Sequence, residues 1–113
     1  MKLENTQAQM RKGVLELCVL SIISEGEAYP RAIIERPKES ELIVVEGTLY
    51  PLITRLKNAG LLNYRLVESS KGPARKYYSL TEEGAAFMQG LHATWTKLVN
   101  AVNQTTQNVI TNE

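Results

Sequence analysis

The sequence predicts a mainly α-helical chain with one small β-hairpin, and three observations predict it. Apolar residues recur at helical spacing in separate stretches along the chain. A turn-forming cluster, Ser69-Ser70-Lys71-Gly72-Pro73, divides two short runs rich in Leu, Tyr and Val. Near the end, Met88, Leu91, Trp95, Leu98 and Val102 step by three, four, three and four residues, an a/d seam of about two heptads.

The first helix is predicted from about Gln7 to Ser24. Its apolar residues include Val14, Leu15, Leu17, Cys18, Val19, Leu20, Ile22 and Ile23 and cover more than one face, leaving a narrow polar arc at Lys12, Glu16 and Ser24. Such a helix must be covered on several sides, which points to a partner subunit lying over Leu17 and Leu20. Gly26 is placed to end it. A shorter second helix begins near Pro30, because proline suits the first helical position, and Pro37 stops it at about Arg36. Lys38 to Glu41 reads as a polar link.

The third helix is predicted from Glu46 to Ala59. Leu49, Ile53 and Leu56 form its core stripe, and Gly60 terminates it. Its other face carries Thr48, Tyr50, Thr54, Arg55, Lys57 and Asn58, with no acid among them. Pro51 falls early in this helix and should distort its first turns. Leu61 to Glu68 and Arg75 to Leu80 read as the two strands of the hairpin, with Tyr77 and Tyr78 on opposite faces. Thr81 caps the last helix, and Glu82 and Glu83 sit in its first turn, where the helix dipole favours carboxylates. From Gln104 the chain is dominated by Gln, Thr and Asn, so the tail should fray.

With 113 residues the chain is one folding unit, too small for a spacious enzyme cleft. Residues 1–80 form the head of the molecule and residues 81–113 a dimerisation helix with a frayed tail. The apolar run Val14 to Ile23 is broken by Glu16 and Ser21 and is about half the length a membrane span requires. The single cysteine, Cys18, permits no internal disulfide and no multi-cysteine metal cage, and suits a reducing cytoplasm. No nucleophile-and-base pair, metal set or phosphate loop stands out, so neither catalysis nor a cofactor is expected. Cys18 reads as a small buried hydrophobe, the lone His92 as a surface or seam-edge residue, and Glu82 with Glu83 as helix-start acids.

The net charge of +1 hides an uneven distribution. Between Thr48 and Leu80 stand six cations (Arg55, Lys57, Arg65, Lys71, Arg75 and Lys76) against one acid, Glu68, while the remainder holds seven cations and eleven acids. A basic middle between acidic ends fits an anionic partner met by one stretch of chain. Three helices followed by a basic hairpin describe a winged helix-turn-helix, whose third helix enters the major groove while the hairpin touches the backbone. Its DNA contacts would come from Thr48, Tyr50, Pro51, Thr54, Arg55 and Lys57 on the helix and from Lys71, Arg75 and Lys76 on the wing. The alternative is a winged-helix adaptor whose hairpin meets an acidic protein. The seam Met88, Leu91, Trp95, Leu98, Val102 would pack on the first helix of a second subunit and make a homodimer; its alternative is to fold back on its own domain.

The run Glu46-Gly47-Thr48-Leu49-Tyr50-Pro51, followed by Arg55-Leu56 and Ala59-Gly60-Leu61, resembles the recognition-helix motif of PadR-like transcriptional regulators. Gly72-Pro73-Ala74-Arg75-Lys76-Tyr77-Tyr78-Ser79-Leu80-Thr81-Glu82-Glu83-Gly84 is similar to that family's wing and the start of its C-terminal helix. The resemblance runs from about Arg11 to Val102, and a single C-terminal helix fits the compact subfamily. It implies a dimeric repressor on a palindromic operator, released in many members by a small effector. It also implies that an aromatic residue such as Trp95 can stack a planar effector between subunits, the plainer role being to fill the dimer core. The sequence departs from the family pattern at Pro30 and Pro37, and at Val45, where a capping Ser often stands.

Overall fold

A computed structural model of the chain describes residues 1–35 and 46–110. Four helices and two strands follow in the order α1 (Leu3–Ser24), α2 (Pro30–Glu35), α3 (Glu46–Asn58), β1 (Leu62–Ser69), β2 (Gly72–Leu80) and α4 (Glu82–Ile110). The mainly helical class with a single hairpin is as the sequence predicts. The link from Lys38 to Glu41, the Pro37 stop and the Val45 departure lie outside the described residues.

The core forms where α1, α2, α3 and the hairpin converge. Val19, Leu20 and Ile23 of α1 meet Ile33 of α2, Leu49, Leu52, Ile53 and Leu56 of α3, and Leu62 and Tyr78 of the hairpin. The helical spacing of Leu49, Ile53 and Leu56 thus becomes one buried stripe, joined by Leu52. This corrects one expectation. Leu20 is 0 % exposed and Leu17 is buried too, so other elements of the same chain cover this part of α1. Its first half is the more open, with Met10 and Gly13 exposed and Val14 half-buried. The helix also begins at Leu3, four residues before the predicted start.

Pro51 lies inside α3 without breaking it. Its missing N–H would have bonded the carbonyl of Gly47, an exposed residue whose carbonyl water can serve. At the far end, Gly60 takes φ 82°, the left-handed conformation that glycine adopts without a Cβ penalty. The Gly60 N–H donates to the Lys57 carbonyl and the Leu61 N–H to the Leu56 carbonyl, both at 3.0 Å, closing a Schellman motif.

The hairpin is longer and its turn tighter than expected. Leu62 pairs with Leu80, Tyr64 with Tyr78 and Val67 with Arg75, and the ladder closes at Ser69 and Gly72, leaving Ser70 and Lys71 as the tip. The register slips by one residue between Val67 and Ser69, so that Pro73 and Ala74 oppose the single residue Glu68. A bulge tolerates a proline, which has no N–H to give a ladder. The outer edge of β2 gains one further partner: Ala28 and Tyr78 exchange both backbone bonds, at 3.0 and 2.8 Å. That bridge pins the α1–α2 connection to the sheet.

Thr81 caps α4 as predicted, its Oγ1 accepting the Gly84 N–H at 2.9 Å. The same hydroxyl donates to the Gly60 carbonyl at 2.7 Å, tying the start of α4 to the end of α3. Gly84 lies against this junction so closely that a Cβ on it would stand 2.1 Å from the Leu61 carbonyl oxygen. The helix then runs 29 residues to Ile110, past the point where fraying was expected, with Thr105 and Thr106 bonding back to the Ala101 and Val102 carbonyls. This long element gives the molecule its extents of 59 × 30 × 23 Å.

The predicted seam divides. Met88 and Leu91 pack against the core of their own chain. Farther along, Trp95 is 42 % exposed, Leu98 53 % and Val102 49 %.

Candidate nucleic-acid interface

The amphipathic pattern of α3 turns its apolar stripe to the core and leaves Thr48, Tyr50, Pro51 and Thr54 exposed. The same tertiary packing places β2 beside that face. Between them lies a cleft of 490 Å³ whose walls include Tyr29 and Arg31, Tyr50 and Thr54, and Arg75 and Lys76. Helix face and wing cations therefore open on one surface. Lys71 projects from the two-residue tip, its N–H donating to the Ser69 hydroxyl at 3.3 Å.

Aromatic rings hold several of the cations. The Arg75 guanidinium lies 4.8 Å from the Tyr29 ring, and Lys76 and Lys57 lie 4.8 and 5.6 Å from the Tyr64 ring. Among the described residues, no carboxylate is within ion-pair distance of Lys57, Lys71, Arg75 or Lys76. Of these four, Lys57, Arg75 and Lys76 meet rings, contacts that leave their charge unneutralised by any described carboxylate. Arg55 differs, because its guanidinium bonds the Glu16 carboxylate of α1. Among the predicted DNA-binding residues it is thus the one already occupied by a carboxylate. Arg65 is likewise occupied, by Glu27, with Nε donating to both carboxylate oxygens at 3.1 and 2.9 Å. That hydrogen bond, opposed by some desolvation and helped by the charge of Arg65, holds the Glu27 carboxyl below its ordinary value.

Tyr77 and Tyr78 do face opposite ways. Tyr77 stacks tilted on Tyr29, centroids 5.4 Å apart, and Tyr78 meets Tyr64 at 5.7 Å. Burial raises the Tyr78 phenol above its ordinary value, with Tyr64 and Tyr50 adding to the shift, so it stays neutral. Cys18 is half-buried and desolvation raises its thiol, in keeping with a small hydrophobe. His92 is exposed on α4. Sequence reasoning missed Tyr29, Arg31 and Tyr64. The available signal was weak: Tyr64 alternates with Leu62 and Leu66 on one strand face, and Tyr29 precedes the helix-starting Pro30.

A second concavity, of 330 Å³, lies between the open half of α1 and the far half of α4, lined by Met10, Val14, Trp95, Leu98, Val99 and Val102. It is almost wholly apolar.

Three helices, a long hairpin beside the third helix and a small strand partner at Ala28 define a winged helix-turn-helix protein. The profile of the transcriptional regulator PadR-like family matches residues 19–90. A PadR-like transcription factor from Bacteroides fragilis shares 52% identity, covering 89% of this chain and 98% of that one, with a TM-score of 0.75. A PadR family regulator from Eggerthella lenta shares 30% identity over 91% of this chain and 90% of the other, with a TM-score of 0.84. Bacillus subtilis PadR, solved in complex with operator DNA, is 25% identical over 73% of this chain and 45% of its own length, with a TM-score of 0.63. This chain belongs to the PadR-like family of transcriptional regulators.

Proposed function

We propose that the protein is a cytoplasmic, sequence-specific DNA-binding regulator, a homodimeric repressor that reads a palindromic operator and is released by a small planar effector. The observation that carries this reading is the shared cleft, on which the hydrogen-bonding face of α3 and the cations of the wing both open. Thr48, Tyr50 and Thr54 offer groups for base edges, with Pro51 and Lys57 flanking them. Lys71, Arg75 and Lys76 neutralise phosphates. Arg55 reads bases only by exchanging Glu16 for DNA. The operator complex of Bacillus subtilis PadR supports the DNA assignment.

Dimerisation is supported by the exposed stretch Trp95, Leu98 and Val102, whose burial contributes roughly 1.5–3 kcal/mol for each large side chain. The apolar groove beside it supports an effector role for Trp95. The testing experiment is selection of bound sequences from random duplex DNA. A two-fold symmetric consensus with half-sites about 34 Å apart is expected. Recovery of no consensus, with retention of an acidic protein instead, would replace this reading with the adaptor. For the effector, planar cationic dyes should quench Trp95 fluorescence; unchanged emission at saturating dye would remove that role.

A further inference from the structure

We propose that the cleft between α2, α3 and β2 is a seat for one DNA phosphodiester, with Arg31, Arg75 and Lys76 as its cations and Tyr29 as the residue that positions Arg75. The proposal rests on the DNA-binding reading above and adds contacts outside the reading helix and the wing tip. Three elements contribute to the seat: Tyr29 and Arg31 come from the start of α2, Tyr50 and Thr54 from α3, Arg75 and Lys76 from β2. Three cations lining one concavity favour an anion such as a phosphodiester over any neutral ligand.

The backbone adds a donor. Tyr78 directs its N–H and carbonyl to Ala28, away from β1. Lys76, two residues along the same strand, turns its N–H to the same edge. Among the described residues no strand pairs with that edge beyond Ala28. That N–H therefore opens on the strand edge beside the cleft, which Arg75 and Lys76 line from opposite faces of β2, an arrangement suited to a phosphate oxygen.

Tyr29 organises the seat. Its ring packs on Tyr77 and lies 4.8 Å from the Arg75 guanidinium, so Arg75 is held over the cleft instead of sweeping freely from the wing. The segment carrying Tyr29 is fixed in turn by the Ala28–Tyr78 bridge and by the Glu27–Arg65 pair. Among the described residues, Arg31 is ion-paired with the neighbouring Glu35 alone, at 3.5 Å, and both side chains are largely exposed, so it can turn to an anion at little cost.

The test is a methylphosphonate scan of the selected operator, neutralising one phosphate at a time, against wild type, Arg31→Ala, Arg75→Ala, Tyr29→Ala and Tyr29→Phe. At one phosphate per half-site, neutralisation should weaken wild type about tenfold and Arg75→Ala less than about twofold, with Arg31→Ala intermediate. Arg75→Ala should also lower the slope of log K against log salt by about one per protomer. Tyr29→Phe should match wild type in both readouts, whereas Tyr29→Ala, which keeps the Arg75 charge, should blunt the position-specific effect of neutralisation while leaving the salt slope near that of wild type. Arg31 and Arg75 are exposed, so their variants keep the scan decisive even if Tyr29→Ala loses packing. Operator binding with no phosphate position masked by Arg31→Ala or Arg75→Ala overturns the seat alone; failure of wild type to bind any duplex overturns both the seat and the DNA reading. Saturable binding of inorganic phosphate that competes with the duplex, without a position-specific effect, would give the cleft to a free anion and also overturn the proposal.

Discussion

Gly84 shows how a single residue can reverse the sign that helix propensity gives. In an exposed helix, replacing Gly by Ala stabilises by about 1 kcal/mol. Here the added methyl would meet the Leu61 carbonyl oxygen at 2.1 Å, and that carbonyl is already occupied by the Thr81 N–H at 3.1 Å. A backbone group so bound cannot swing aside, so Gly84→Ala should destabilise by about 1–3 kcal/mol and lower Tm by several degrees. A raised Tm would show that the α3–α4 junction is looser than its geometry. Thr81→Ala removes both the cap on Gly84 and the bond to Gly60, and should cost about 1–2 kcal/mol. Glu27 gives a pH signature. Its carboxyl is held low in the folded state by Arg65, so its contribution is complete above the ordinary carboxylate value of 4.5 and disappears as pH falls through the folded value. The Tm difference between wild type and Glu27→Gln should be constant near neutrality and shrink in acid; a difference that grows in acid would contradict the pairing.

At the level of elements, the features legible in the sequence were the ones encoded locally. The stripe Leu49, Ile53, Leu56, the Gly60 stop, the Thr81 cap and the start of α2 at Pro30 each depend on residues within a turn or two of one another, and the structure places them as read. What escaped depends on distant chain. Arg55 finds Glu16 and Arg65 finds Glu27 across nearly forty residues, so a count of cations overstated how many were free. Heptad spacing showed that α4 has an apolar seam but not which surface receives it, and the answer differs between Leu91 and Trp95. The bulge at Pro73 lets β2 begin at Gly72, inside the Ser69–Pro73 cluster whose composition predicts a turn. The proposed division of labour between α3 and the wing carries its own prediction. Tyr50→Ala should narrow the affinity gap between operator and random duplex, since a good base contact discriminates by about 1–3 kcal/mol. Lys71→Ala, at the tip, should weaken all duplexes alike and reduce the salt slope by about one. Equal effects of the two changes on discrimination would mean that α3 is not the reading element.

For the whole molecule, the split seam separates residues that build the fold from exposed residues left for the proposed dimer. Leu20 is wholly enclosed in the protomer, so Leu20→Ala should act on folding, costing about 2–5 kcal/mol whether or not a second chain is present. Leu98 is the opposite case, half exposed in the protomer and lining the groove between α1 and α4. Leu98→Asp leaves the head of the molecule unchanged but places a carboxylate where the proposed dimer would bury apolar surface, and an unpaired buried charge is strongly unfavourable. Sedimentation equilibrium should therefore give twice the 12.7 kDa chain mass for wild type and the single-chain mass for Leu98→Asp. The two proteins should show the same helical content. Operator affinity should fall much further than affinity for an isolated half-site, because one reading helix no longer brings the second with it. If Leu98→Asp sediments like wild type and binds the full operator as tightly, the proposed dimer does not form through this groove.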